Sequence, residues 1–251
     1  SSAVSAENKE YSIADQKNSH ARSAAEGNPR VLNVDSYYNP CFIKGKTVLV
    51  TGGNRGIGLA LTKELQAVGA DVIITTRSAS GLSGVTEVTD IDVTDNKCGE
   101  KLAKALNGKK IDVLINNAGY FYAPVETLST LNFEEEMKMI DICALGPLRI
   151  TSGLFNAGLL TEGSRVAIIS SQGGSIAWRT TQNPTGHDYG HHMSKAAANM
   201  AGVLLAQELK QKKIAVRLLH PGFNKTDMTK KYEHIWEEEG AVDSSVGAKR
   251  V

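Results

Sequence analysis

Apolar residues along this chain follow two alternating rhythms. Short unbroken runs at 47–50 (TVLV), 71–76 (DVIITT), 111–115 (IDVLI), 165–170 (RVAIIS) and 214–219 (IAVRLL) have the length and β-branched content of strands buried on both faces. A less regular strand is predicted over 85–93. Between these runs, apolar positions recur every three or four residues, which predicts helices over 59–68, 96–106, from 132 towards 159, and 194–210. The local punctuation agrees. Gly69 and Gly108 stand just past two of the helices, Asp95 is placed to N-cap the second, and the run 132–135 (NFEE) has capping-box spacing. Beyond Met228 the pattern predicts helix or loop over 231–239 and 244–250, with no closing strand. Strict strand–helix alternation implies an α/β fold, a doubly wound parallel sheet with helices on both faces. In such sheets ligands bind at the carboxyl ends of the strands.

The 251 residues, 41% of them hydrophobic, suffice for one sizeable core, and no Pro/Gly/Ser-rich linker divides the middle. The expected organisation is a single domain over 43–251 preceded by a polar extension over 1–42. That extension is rich in Ser, Ala, Asn, Lys and Glu and is expected to lie against other protein subunits. A first residue that is Ser rather than Met has the look of a processed leader, which points to an organelle (plastid or mitochondrion), with the cytoplasm as the alternative. A net charge of +1 carries no electrostatic footprint for nucleic acid. No apolar run reaches the roughly 18 residues of a transmembrane helix, which leaves only peripheral association with a membrane complex. Cys41, Cys98 and Cys143 are too widely spaced for a metal motif and odd in number, as expected in a reducing compartment.

The first strand runs into the segment 51–58 (TGGNRGIG). Gly52 suits a tight strand-to-helix turn, Gly56 a close approach of a dinucleotide backbone, and Gly58 close packing of helix on strand. Asn54, Arg55 and Ile57 complete the lip of a pyrophosphate site at a helix N-terminus. Further segments follow in order: Asp92-Val93, Asn116-Asn117-Ala118-Gly119, Ser170-Ser171, Ser194-Lys195-Ala196-Ala197, and Pro221-Gly222 with Thr226. Over about 44–228 the chain resembles the short-chain dehydrogenase/reductase family, and so a Rossmann fold. The resemblance implies that Asp92 and Val93 lie at the adenine, that Asn117 braces the sheet beside Ala118 and Gly119, and that Pro221, Gly222 and Thr226 face the nicotinamide. The second strand ends in Thr75-Thr76-Arg77 with no acidic residue for a ribose hydroxyl. Arg77 and Arg55 are suited instead to a 2′-phosphate, which favours NADP(H) over NAD(H).

The same resemblance implies a catalytic tyrosine four residues before a lysine, a serine that orients the carbonyl, and an asparagine that holds a relay water. The lysine is Lys195, also a cofactor contact, and the serine Ser171. The tyrosine position holds His191 and the asparagine position Cys143. A phenol beside Lys⁺ works as an acid near neutral pH, whereas an imidazole there is biased to its neutral form. A thiol is not expected to replace an amide that both donates and accepts. Tyr189, the possible substitute, lies two residues before His191 and so about 200° around a helix. His187 and His191 have i,i+4 spacing but no third ligand, so polar histidines at a cleft rim are expected and no metal. The leading expectation is an NADP(H)-binding pseudoenzyme that serves as a structural or regulatory subunit. The alternatives are an active NADPH-dependent carbonyl reductase/alcohol dehydrogenase that uses His191 or Tyr189, and an NADP(H) redox sensor. Family members continue into a last strand, and its absence here would leave a sheet edge for a partner to cover.

Overall fold

The computed structural model describes residue 21, residues 23–27 and residues 34–251. Six parallel strands, β1 (Thr47–Thr51), β2 (Asp71–Thr75), β3 (Thr86–Val88), β4 (Val113–Asn116), β5 (Arg165–Ile169) and β6 (Ala215–Leu219), lie in the order β3-β2-β1-β4-β5-β6. The order reverses between β1 and β4, so the crevice beyond their carboxyl ends is the switch point of the sheet. Alternate residues of a strand face opposite sides. Leu49, Ile73 and Leu114 enter one core layer, beneath α2 (Cys98–Leu106) and α4 (Gly146–Asn156). Val48, Val50, Val72 and Ile74 enter the other, beneath α1 (Gly56–Ala67) and α8 (Ser244–Arg250). Burial of both faces is why these strands read as unbroken apolar runs.

Helices α2 and α4 meet backbone to backbone. A Cβ on Gly99 would lie 2.1 Å from the Arg149 carbonyl oxygen, and one on Gly153 would lie 2.4 Å from the carbonyl carbon of Gly99. Between α3 (Phe133–Ile140) and α4 the chain takes a π-turn over Asp141–Leu145 with helical dihedrals at both junctions, so the long helix expected from 132 towards 159 runs unbroken to Asn156 with a π-segment inside it. Asn132 caps α3 as expected, accepting the Glu135 N–H at 3.2 Å. The returning half of the box is not made, because Glu135 turns to Lys138 at 3.4 Å and to the Tyr120 hydroxyl.

Other boundaries move for local reasons. The third strand is three residues long, because Asp90 at φ +59 turns the chain and delivers Ile91 and Val93 to the core from a loop. Asp95 does not cap α2; its carboxylate takes the Lys97 N–H at 2.9 Å and shapes the preceding turn. The helix expected over 194–210 begins earlier, as α6 (Tyr189–Lys210), after a short α5 (Ile176–Gln182). Beyond β6, a 3₁₀ segment (Asp227–Ile235) leads into α7 (Trp236–Glu239). A strand does form after it, but β8 (Val242–Asp243) is two residues long and pairs only with β7 (Asn224–Lys225). Among the described residues no seventh strand joins β6.

Most of the polar extension over 1–42 lies outside the described residues. The part from Val34 on rests against its own domain: Asp35 pairs with Lys249 of α8 at 2.6 Å, and Ile43 is buried beside Val48. No described helix is long and apolar enough to cross a membrane. The backbone contact between α2 and α4 yields a direct test. Gly99→Ala should cost about 1–3 kcal/mol by overpacking, read as a lower urea midpoint at unchanged m-value.

Candidate nucleotide and catalytic site

The turn after β1 passes through Gly52 at φ +66 and Gly56 at φ +53, the left-handed region in which a side chain is strained. Gly58 serves packing, since a Cβ there would lie 2.1 Å from the Gly52 carbonyl oxygen and 2.5 Å from Asn117 Nδ2. Gly53, to which the sequence reading assigned no role, is equally confined, 2.4 Å from Ile74 Cγ2 by the same measure. Arg55 stands at the N-cap of α1 in extended conformation and makes no side-chain cap. It leaves the first N–H groups of α1 available to an anion, with Asn54 and Ile57 on either side.

The carboxyl ends of β1 and β4 are cross-braced. Thr51 Oγ1 accepts the N–H of Asn117 and of Ala118, both at 3.0 Å. Asn117 Nδ2 returns bonds to the carbonyls of Thr51 at 3.0 Å and Gly52 at 3.2 Å. Gly119 follows, with Met228 Cε 3.8 Å and Cys143 Sγ 3.9 Å from where its Cβ would be. On the far side of the crevice, Pro221 and Gly222 (φ +87) are held by Asn224 Nδ2, which donates to the Gly222 carbonyl at 2.7 Å.

Arg55, in the turn after β1, and Arg77, just past β2, are both exposed. Asp92 is exposed as well. The Thr94 N–H at 2.9 Å, the Thr94 hydroxyl and the nearby Arg77 charge hold its carboxyl below the usual carboxylate range. Val93, expected at the cofactor, instead turns its side chain into the core against Gly146, and its carbonyl accepts from Arg149 at 2.9 Å. An acidic residue does stand at the end of β2, although none was legible there. Glu87 arrives from β3, pairs in register with Ile74, and takes the Thr76 hydroxyl at 2.8 Å and the Ser80 N–H at 2.9 Å. It thereby shapes the turn that carries Arg77.

On α6, His191, Lys195 and Asn199 recur at i, i+4 and i+8 and share a face. The segment after β5 lies along it. Lys195 Nζ donates to the Ile169 carbonyl at 2.9 Å, and the Ser170 hydroxyl donates to Asn199 Oδ1 at 2.5 Å. Gly174 allows this approach, since a Cβ there would lie 2.7 Å from the Lys195 carbonyl. A Cβ on Gly173 would lie 3.1 Å from His191 Nε2 and 3.2 Å from Ser171 Oγ, so both groups border this glycine. Asn199 was missed in the sequence; its spacing of four from Lys195 was the available signal.

The His191 ring stacks on Phe121 with centroids 4.3 Å apart, and its Nδ1 is buried with no hydrogen-bond partner. Burial first, then the Lys195 charge, push its pKa well below the ordinary histidine value, so the ring is neutral at neutral pH. Tyr189 does not join this cluster. It is exposed, with its hydroxyl over Gly186 on the turn before α6. Cys143, in the π-turn, both accepts the Tyr120 N–H and donates to the Tyr120 carbonyl, each at 3.5 Å. The π-turn brings the sulfur against one backbone residue, where it makes both bonds weakly.

Of the two histidines clustered with His191, His187 is buried and His192 half-buried, and both are tied to Asp188. His187 Nδ1 donates to Asp188 Oδ2 at 3.1 Å. Arginine can only donate, so Arg179 Nη1, 2.9 Å from His192 Nε2, makes that nitrogen the acceptor and puts the proton on Nδ1, which bonds the Asp188 carbonyl at 2.8 Å. Among the described residues no three His, Cys, Asp or Glu side chains are arranged to hold a metal. Asp188 itself, 1% exposed and at φ +51, receives Lys231 Nζ at 3.0 Å and the Tyr232 hydroxyl. Burial alone would raise its carboxyl, but the His187 bond, the Lys231 charge and the Tyr232 bond hold it well below the usual range.

A folded pKa below the unfolded value of about 3.9 means that the stabilisation is fully present above that value and is lost as pH falls through the folded one. Asp188→Asn should therefore cost about 3–5 kcal/mol at pH 7, because Lys231 is left buried and unpaired. Its stability should also fall less steeply than wild type below about pH 4, as read by urea unfolding across pH.

The sequence profile of the short chain dehydrogenase family matches residues 46–235. The chain is 34% identical over 197 residues to 1-hydroxy-2-glutathionyl-2-methyl-3-butene dehydrogenase of Rhodococcus sp. strain AD45, covering 76% of this chain and 84% of that protein. In structure it is similar to a short-chain dehydrogenase/reductase from Burkholderia multivorans with bound NADP, at TM-score 0.64 and 28% identity, over 73% of this chain and 81% of that one. It is also similar to an NADPH-bound carbonyl reductase from chicken fatty liver, at TM-score 0.62 and 26% identity, over 74% and 82% of the two chains. With the glycine turn at the switch point, the Asn117 brace and a family match over 46–235, the chain belongs to the short-chain dehydrogenase/reductase family.

Proposed function

We propose that this chain binds NADP(H) in the groove between the glycine turn and Gly119, and that its carbonyl reductase chemistry is impaired because His191 stands where the family places a phenol. The nucleotide part is supported by the uncapped start of α1, by exposed Arg55 and Arg77, and by the NADP and NADPH of the two solved relatives. The single observation that carries the impairment is the environment of His191. A neutral imidazole is a poor proton donor, and burial beside Lys195 keeps the imidazolium scarce at neutral pH. Cys143, bonded to Tyr120, supplies no amide for a relay. Such a chain serves as a nucleotide-carrying structural or regulatory subunit.

A second reading has one observation in its favour. His191 Nε2 and Ser171 Oγ both border Gly173, which sets the imidazole beside the serine that the family resemblance assigns to the carbonyl. On that reading the imidazolium is the acid, and the rate rises only as pH falls well below the ordinary histidine range, because burial and Lys195 depress the pKa of His191.

With a panel of aldehydes and ketones, NADPH oxidation by the wild type should stay well below the common range of about 1–1000 s⁻¹. Installing a phenol by His191→Tyr should raise it by about 100-fold or more. Ordinary rates for the wild type overturn the impaired reading. A rate that climbs towards acid pH and vanishes in His191→Phe selects the second reading. Nucleotide choice is tested separately: the substitution Arg77→Ala should weaken NADPH about tenfold or more in fluorescence titration while changing NADH much less.

A further inference from the structure

We propose that the buried ion pair between Lys231 and Asp188 is a latch that holds the Asp227–Ile235 segment shut across the nucleotide groove and so sets how long a bound nucleotide stays. Lys231 and Asp188 are thus positioning residues, and the proposal rests on the nucleotide reading above. The segment crosses the whole groove. At its start Thr226 Cγ2 lies 3.8 Å from where a Cβ on Gly56 would be, at the turn after β1. Met228 Cε comes equally close to Gly119, beyond β4. At the far side Lys231 reaches Asp188, the residue before α6, at 3.0 Å.

The two sides of the contact are built differently. Asp188 is a fixed post: its N–H bonds the Glu126 carbonyl at 2.9 Å and its own carbonyl accepts from His192 at 2.8 Å, which holds the left-handed backbone in place. Lys231 is the bolt. Its side chain is 10% exposed, and its three N–H groups reach Asp188 Oδ1, the Tyr122 carbonyl at 2.7 Å and the Pro124 carbonyl at 3.4 Å. Burial pushes its pKa down, and the Asp188 charge opposes that. An ammonium this desolvated is stable either fully paired or fully hydrated, and a half-withdrawn position satisfies neither. Such a contact opens as one event.

The same event controls the substrate side. Lys231 lies 3.5 Å over the Phe121 ring, whose other neighbour is the stacked His191, and Tyr232 adds a tilted contact at 5.9 Å. When the latch is shut, Phe121 is clamped on the imidazole; when it opens, the ring loses Lys231 and Tyr232 together.

The test uses the double variant Lys231→Met/Asp188→Asn, which removes both charges of the pair together, with folding checked by circular dichroism. In stopped-flow fluorescence, NADPH should leave this variant about tenfold faster or more, with the association rate changed less. Lys231→Arg, which keeps the ion pair, should stay close to wild type. An unchanged dissociation rate in the double variant overturns the latch. Should the wild type not bind NADPH at all, the nucleotide reading itself fails, and hydrogen exchange of the 227–235 amides in the free protein then reads the latch alone. Faster exchange confined to that segment supports it. Unchanged exchange, or a uniform rise through the whole chain, overturns it.

Discussion

At the switch point of the sheet, one hydroxyl and one amide hold two strand ends together. Thr51 Oγ1 receives two N–H groups from the turn after β4, and Asn117 Nδ2 answers with bonds to two carbonyls of the turn after β1. Both turns are thereby rigid before any ligand arrives. The close packing at Gly58 follows from it, since the Asn117 amide occupies the space a side chain would need. A groove with a fixed floor, an uncapped helix N-terminus and exposed arginines is preorganised for a dinucleotide phosphate.

Across the groove, the register of α6 governs what chemistry is on offer. One face presents His191, Lys195 and Asn199, and the glycines at 173 and 174 let the chain after β5 lie directly on it. Lys195 and Ser171 therefore occupy places suited to a carbonyl reductase. The group between them is an imidazole kept neutral by burial and by the lysine itself. The Lys195 charge lowers the pKa of either group, but with opposite consequences: a phenol still holds its proton near neutral pH and gives it up more readily, whereas an imidazole has already lost the proton it would donate.

Much of this was legible in the chain. The strand runs and the glycine turn predicted the doubly wound parallel sheet and a crevice at the carboxyl ends of its strands, and the spaced motifs pointed to Ser171, His191, Lys195 and Asn117. What was misread depended on contacts remote in sequence. The π-turn has no pattern of its own and is visible only where α3 gives way to α4, yet it carries Cys143 to Tyr120. Glu87 belongs to the end of β2 through strand register, not through chain proximity. Val93 follows Asp92 directly but belongs to the core, because Gly146 leaves room for it.

The amino-acid sequence by itself determined the fold class and the nucleotide-type turn, since these rest on local periodicity, glycine conformation and fixed spacing. Only the tertiary structure decided the states of particular side chains. The neutrality of His191, the double bond of Cys143 to one backbone residue, and the buried pairing of Asp188 with Lys231 across 43 residues come from burial and charge supplied by distant segments. Desolvation and Coulomb interactions act through space, so no local pattern records them.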